Sequence, residues 1–328
     1  MNNAAYERAR TFMYRNARPL DLARFQYHFE NGSKEAVMNV LACYQNEDGG
    51  FGHAVETDCW NPHSTPLHCG AAGDIMREID IEDARHPVVQ GLLRWYAGGK
   101  HFDGKTWALT VESNNDYPHA PWWHSESVSS CHTDYNGTAQ IAGFIARYAE
   151  RDGELFQLGV RIANEAVSAL SPEGLTDMHT CACYVKMVEL FERAGATEYI
   201  PFAELKERLH KSVNKLIEAD TSKWGGYVCR PSRFIHSKDC EFYADNREAA
   251  DYECQYIINT QLADGSWDIP WGWNDYPDEW AISRNWWKGQ VIIENLLYLK
   301  GMGRLHLAGG SAYGLAEAES TNNEEEVT

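Results

Sequence analysis

Two heptapeptides far apart in the chain carry the same pattern. QNEDGGF runs from Gln45 to Phe51, and QLADGSW from Gln261 to Trp267. Each places Gln, Asp, Gly and an aromatic residue in one register, directly behind a stretch with helical apolar spacing. An Asp-Gly pair turns the chain out of a helix. The aromatic can then fold back on that helix, and the Gln amide can bond neighbouring backbone while lying against the ring. Such an element fastens one helix to the next hairpin, so its recurrence implies a fold assembled from repeated helical units.

The rest of the sequence agrees. Val37, Val40, Leu41 and Tyr44 recur at helical spacing, and Ser33 stands where an N-cap belongs, which predicts a helix over 33–45. Similar spacing predicts helices over 66–79, 87–96, 138–151, 155–170, 179–194, 201–218, 248–261 and 287–299. Strict alternation is scarce. Short hairpins are expected at most near 107–111 and 226–229. The fold class expected is all-α.

QNEDGGF and QLADGSW resemble the QW-type repeat of squalene–hopene cyclases, class II terpene cyclases and protein prenyltransferase β subunits. Degenerate copies are suggested near 104–107 and 223–227. The resemblance implies an α/α toroid, a barrel of helical hairpins around a central cavity, spanning residues 1–308 as one domain. The remainder, 309–328, drifts into Ala, Glu, Ser and Asn and reads as an acidic, disordered tail. The resemblance also implies an enzyme of terpene-cyclase or prenyltransferase type, acting on a small isoprenoid-type substrate. The family's usual signatures are missing: there is no DxDD, no DDxxD and no prenyltransferase zinc set. The nearest string to DxDD, Asp80-Ile81-Glu82-Asp83, reads as a turn between two helices.

Chemistry is expected in the long loops, which are rich in Trp, His, Asp and Pro. The first holds His53, Glu56, Asp58, Trp60 and His63. Two carboxylates and two imidazoles so close together suit general acid–base work, with Asp58, Glu56 and His53 as the catalytic candidates. The alternative makes the two carboxylates turn or N-cap residues ahead of the helix at Pro66. The second loop, 116–127 with His132, Asp134 and Tyr135 behind it, offers Trp122, Trp123 and Tyr135 as a wall for an apolar or sugar ligand and His119, His124 and Asp134 as polar points. Asp134 has a competing reading as a helix cap. The third candidate, His179 with Cys181 and Cys183, has poor geometry for a metal, since residues two apart on a helix diverge; His179 facing a cavity is preferred. A polar stretch over 232–245 has no sharp pattern. Finally, the segment after Trp267 carries Trp271, Trp273, Trp280, Trp286 and Trp287. Trp267, Trp286 and Trp287 have a structural reading, and one or two of Trp271, Trp273 and Trp280 are expected to face the cavity as substrate-binding residues.

No P-loop, GxGxxG, GxSxG or HExxH motif occurs, so neither cofactor nor metal is expected. The formal charge of −19 argues against nucleic acid as a partner. No apolar run approaches a transmembrane length. The amphipathic first residues lack a signal-peptide core, and nine cysteines without export features suggest reduced thiols in a cytoplasm. A small-molecule substrate is the expected partner. Two other functions remain open: a carbohydrate-active enzyme with paired carboxylates and Trp platforms, and a non-catalytic ligand-binding protein.

Overall fold

The computed structural model describes residues 1–126, 134–171 and 173–307. The tail expectation over 309–328 and His132 therefore lie outside the described residues. What is described is all-helical, with no strand. The short hairpins expected near 107–111 and 226–229 are absent: Trp107 makes only an isolated bridge to Phe102, and 226–229 makes none.

Eleven α-helices are described: α1 Asn3–Asn16, α2 Pro19–Phe29, α3 Lys34–Ala42, α4 Pro66–Glu78, α5 Pro87–Ala97, α6 Thr138–Tyr148, α7 Glu154–Ala169, α8 Met178–Arg193, α9 Phe202–Leu216, α10 Arg247–Thr260 and α11 Pro277–Gly301. Their starts follow local chemistry. Ser33 caps α3 by accepting from the Ala36 N–H, and Thr65 caps α4 by accepting from the His68 N–H. Proline opens α2, α4, α5 and α11, where its missing N–H costs nothing. Every helix expected from spacing is present. Helices α1 and α2 were not among them, and α11 begins at Pro277 instead of 287.

The two heptapeptides form the same joint. Gln45 Nε2 donates to Gly49 O at 2.8 Å and to Val88 O, at the start of α5, at 2.9 Å. Gln261 Nε2 donates to Gly265 O at 3.0 Å and to Ala5 O in α1 at 2.9 Å. Asp48 and Asp264 each accept the backbone N–H two residues on, and Phe51 and Trp267 are buried. Both central glycines have positive φ, +89° at Gly49 and +91° at Gly265. A Cβ at either would lie 2.2 Å from a carbonyl oxygen of the clasped helix, Gly91 in α5 or Arg8 in α1. Only glycine supplies both the backbone angle and the close approach.

Looser versions of this joint recur. The turn behind α5 carries Gly104 at φ +97°, whose carbonyl accepts from Arg161 of α7. The turn behind α7 carries Gly174, and the following Leu175 N–H donates to Ser212 of α9. The turn behind α9 presents Trp224 to Tyr252 and Tyr256 of α10, and the Tyr256 hydroxyl donates to Trp224 O.

The other helices pack on one another. Helix α4 lies on α6, α6 on α8, and α11 on α1 and α2. Arg24 of α2 pairs with Glu78 of α4. His236, between α9 and α10, puts its carbonyl against Gly301 at the end of α11. One apolar cluster runs from Met1 to Met302. No described helix is long and apolar enough to cross a membrane.

Candidate functional site

Asp58 sits in a box of indoles. Its Oδ1 accepts from Trp287 Nε1 at 2.6 Å and Trp273 Nε1 at 2.9 Å. Trp271 stands edge-on to Trp287, with ring centroids 5.1 Å apart. Its buried N–H closes no hydrogen bond of good geometry, yet it lies near enough to help draw the Asp58 pKa down. Asp58 is 2 % exposed.

The loop holding this carboxylate is pinned from several sides. Ala120 N donates to Asp58 O, and Trp60 N donates to Pro118 O, so the second long loop lies along the first. Asn61 donates to Ser113 and Asn114 of that second loop. Buried His68 of α4 contacts Cys59 O at 3.0 Å through Nε2, and burial pushes its pKa down to about 4. Trp60 Nε1 donates to Ser283 of α11, whose hydroxyl donates to Thr57 O. Trp60 also stacks on Trp286, and the Arg18 guanidinium lies over the Trp286 ring, 5.8 Å from its centroid. Arg18 donates to Ala54 O and Val55 O.

Glu56 and Asp58 act on each other. Burial pushes Glu56 up to about 8, and the Asp58 charge adds to the shift. Burial pushes Asp58 up to about 6, against the indole N–H groups of Trp287, Trp273 and Trp271, which favour its charged form. Glu56 is the better keeper of a proton near neutrality, and its Oε1 accepts from the Asp58 N–H at 3.4 Å, a turn contact. Neither caps α4; Thr65 does.

A line of contacts leads away from this pair. Trp271 meets Tyr227 edge-on at 5.6 Å, and Tyr227 stacks on His179 at 5.9 Å. Tyr227 Oη is 2.8 Å from His179 Nε2, and Arg233 Nη2 donates to His179 Nδ1 at 2.8 Å. Farther on, Lys186 bridges Asp74 and Gln140, and Arg77 pairs with Asp74 and Glu189. Glu294 and His236 keep accessible surface, yet desolvation moves both, Glu294 up and His236 down. These groups sit on α4, α6, α8, the 227–236 segment and α11.

The expected residues divide. Asp58, Glu56, Trp271, Trp273, Trp280 and Trp60 come together, Trp280 packing on Trp273 at 5.4 Å. His179 joins them through Tyr227. His53 does not: it is exposed, at φ +57°, with Nε2 on Asn46. His63 pairs with the Tyr117 hydroxyl, and exposed His124 stacks on His119 at 5.3 Å. Trp122 is 45 % exposed. Trp123 lies beside it, its backbone carbonyl accepting from Asn114. Asp134 forms a turn by accepting from Asn136 N and meets Thr180, while Gly137 holds the cap position of α6. Tyr135 is buried beside a surface hollow lined by Lys105, Arg161 and Glu165, away from the indole box. Trp287, read as structural, is the shortest donor to Asp58. Cys181 and Cys183 are buried free thiols, and no cluster of three metal-type ligands occurs among the described residues.

No protein-family model matches the chain, and no curated protein matches it.

Proposed function

We propose that the chain is an α/α toroid enzyme of the terpene-cyclase type, which starts its reaction with a proton from the Glu56–Asp58 pair. The toroid reading is supported by the order of the joints. The turn behind α3 clasps α5, that behind α5 clasps α7, then α7 to α9, α9 to α10, and α10 back to α1. These helices form the outer layer. The inner layer runs α11, α2, α4, α6, α8 and the 231–236 segment, which returns to α11.

The single observation that carries the reaction is the buried Asp58 carboxylate, held by the Trp287 and Trp273 N–H groups with Glu56 two residues away. Glu56 keeps its proton near neutral pH and can transfer it to the substrate. Positive charge then develops against the faces of Trp271 and Trp287. When a neighbouring carbon gives up a proton and forms a double bond, the pair accepts that proton and the cycle closes. Asp58, held by two indole donors, keeps its orientation throughout.

A second reading, a carbohydrate-active enzyme, is favoured by one observation. Beyond His179 lies a network of charged side chains in which Arg77 pairs with Asp74 and Glu189 and Lys186 pairs with Asp74. The two separate in one experiment. Prenyl alcohols, prenyl diphosphates and oligosaccharides are incubated with the protein in D2O, and products are analysed by mass spectrometry. The cyclase reading predicts a rearranged isoprenoid carrying solvent deuterium, with turnover falling about 100-fold or more in Glu56→Gln. Cleaved oligosaccharide without isoprenoid turnover would replace it with the second reading.

A further inference from the structure

The contacts around His179 fix a proton that the acid pair does not account for. Arg233 Nη2 lies 2.8 Å from His179 Nδ1. A guanidinium has only donors, so Nδ1 must be the unprotonated, accepting nitrogen. The neutral ring then carries its hydrogen on Nε2, and this N–H points at Tyr227 Oη, 2.8 Å away. The Tyr227 oxygen is thereby used as an acceptor. Its own O–H hydrogen must point elsewhere, and it has no acceptor among the described residues. The tyrosine ring rests on Trp271, which packs on Trp287, the donor to Asp58. The residue is 53 % exposed, and the Asp58 charge reaches it.

We infer that Tyr227, held by the Arg233–His179 pair, is the hydrogen-bond donor that receives an alcohol, ether or carbonyl oxygen of the ligand at the edge of the indole box. The inference rests on the isoprenoid reading above and narrows it: the substrate is oxygenated, with its oxygen at Tyr227 and its apolar part against Trp271 and Trp287. His179 and Arg233 are positioning residues, because they act through the tyrosine. The burial that lowers the His179 pKa, helped by the Arg233 charge, keeps the ring neutral and the arrangement intact.

The test uses the full chain and two probes matched in carbon skeleton, geraniol and 2,6-dimethylocta-2,6-diene, with binding read by quenching of tryptophan fluorescence. The alcohol is expected to bind about tenfold more tightly than the hydrocarbon, the effect of one hydrogen bond of ordinary strength. Tyr227→Phe is expected to abolish that preference and leave hydrocarbon binding unchanged, which also reports that the variant is folded. Long-range 1H–15N spectra are expected to show His179 protonated on Nε2, and Arg233→Met to release that tautomer and reduce the alcohol preference. Equal affinity of the wild type for the two probes, or a proton on Nδ1, overturns this inference alone. Failure of both probes to bind overturns the isoprenoid reading, and this inference with it.

Discussion

Gly265→Ala tests whether the α10 turn truly clasps α1. Two costs add at this position. The first is conformational: φ is +91°, and holding an L-residue in the left-handed half of the map costs about 1–2 kcal/mol. The second is steric. The new Cβ would lie 2.2 Å from Arg8 O, 2.3 Å from Arg8 C and 2.7 Å from Ala9 N, all backbone atoms of a helix. Backbone cannot rotate aside as a side chain would, so α1 must shift, at about 1–3 kcal/mol by analogy with overpacked cores. The sum is about 3 kcal/mol. Gly195→Ala isolates the first cost, since φ is +59° there and nothing lies within 4 Å of its Cβ. It should lose about 1 kcal/mol. The assay is urea unfolding followed by tryptophan fluorescence, comparing midpoints under a common slope. Gly49→Ala, against Gly91 O, should behave like Gly265→Ala. If Gly265→Ala proves no more costly than Gly195→Ala, the close approach to α1 is not real, and the argument for a closed outer layer fails.

Other expectations concern charge. Trp287→Phe removes the 2.6 Å donor to Asp58 and should raise the Asp58 pKa further, while destabilising the fold by about 1–3 kcal/mol; carboxyl 13C NMR and urea unfolding read the two effects. Because Glu56 and Asp58 have folded pKa values raised to about 8 and about 6, their contribution to stability is fully present below their unfolded values and is lost as pH rises through the folded ones. Unfolding midpoints should therefore fall between about pH 4 and 8 by this route, and Glu56→Gln should flatten the fall. Glu78 behaves oppositely: burial alone would raise it, but the Arg24 charge and the hydrogen bonds from His28 and Arg24 outweigh burial and hold it at about 2. Arg24→Met leaves buried Asp21 with Arg18 alone and half-buried Glu78 with His28 alone, and should cost about 3 kcal/mol in urea unfolding.

Local chemistry made much of the helical plan readable. Ser33, Pro66 and Pro87 mark helix starts without help from tertiary structure. The repeat was readable because its parts act within seven residues: Gln45 reaches Gly49 O, and Gln261 reaches Gly265 O. Helix α2 was hidden for a physical reason. Its inward face buries Asp21 and Arg24, which satisfy each other and Glu78, so the face is not apolar in sequence. The first turns of α11 look like loop, although Pro277 at the start with Asp278 and Glu279 behind it is a fair helix opening. The two carboxylates of the candidate site, Glu56 and Asp58, could be picked out from composition. Their partners could not. Trp273 and Trp287 lie more than two hundred positions from Asp58, and Tyr227 and Arg233 meet His179 only because α8 and the segment after α9 are folded together. The imidazoles His53 and His63, equally prominent in sequence, point to local partners instead.

The central claim is that Glu56 keeps its proton at neutral pH beside a charged Asp58. Carboxyl 13C chemical shifts of these two residues, followed from pH 3 to 9 in the wild type and in Asp58→Asn, measure it directly. The account predicts two linked steps, with Glu56 still protonated at pH 7 and its pKa falling once the Asp58 charge is removed. Two independent titrations near the ordinary carboxylate values would contradict it.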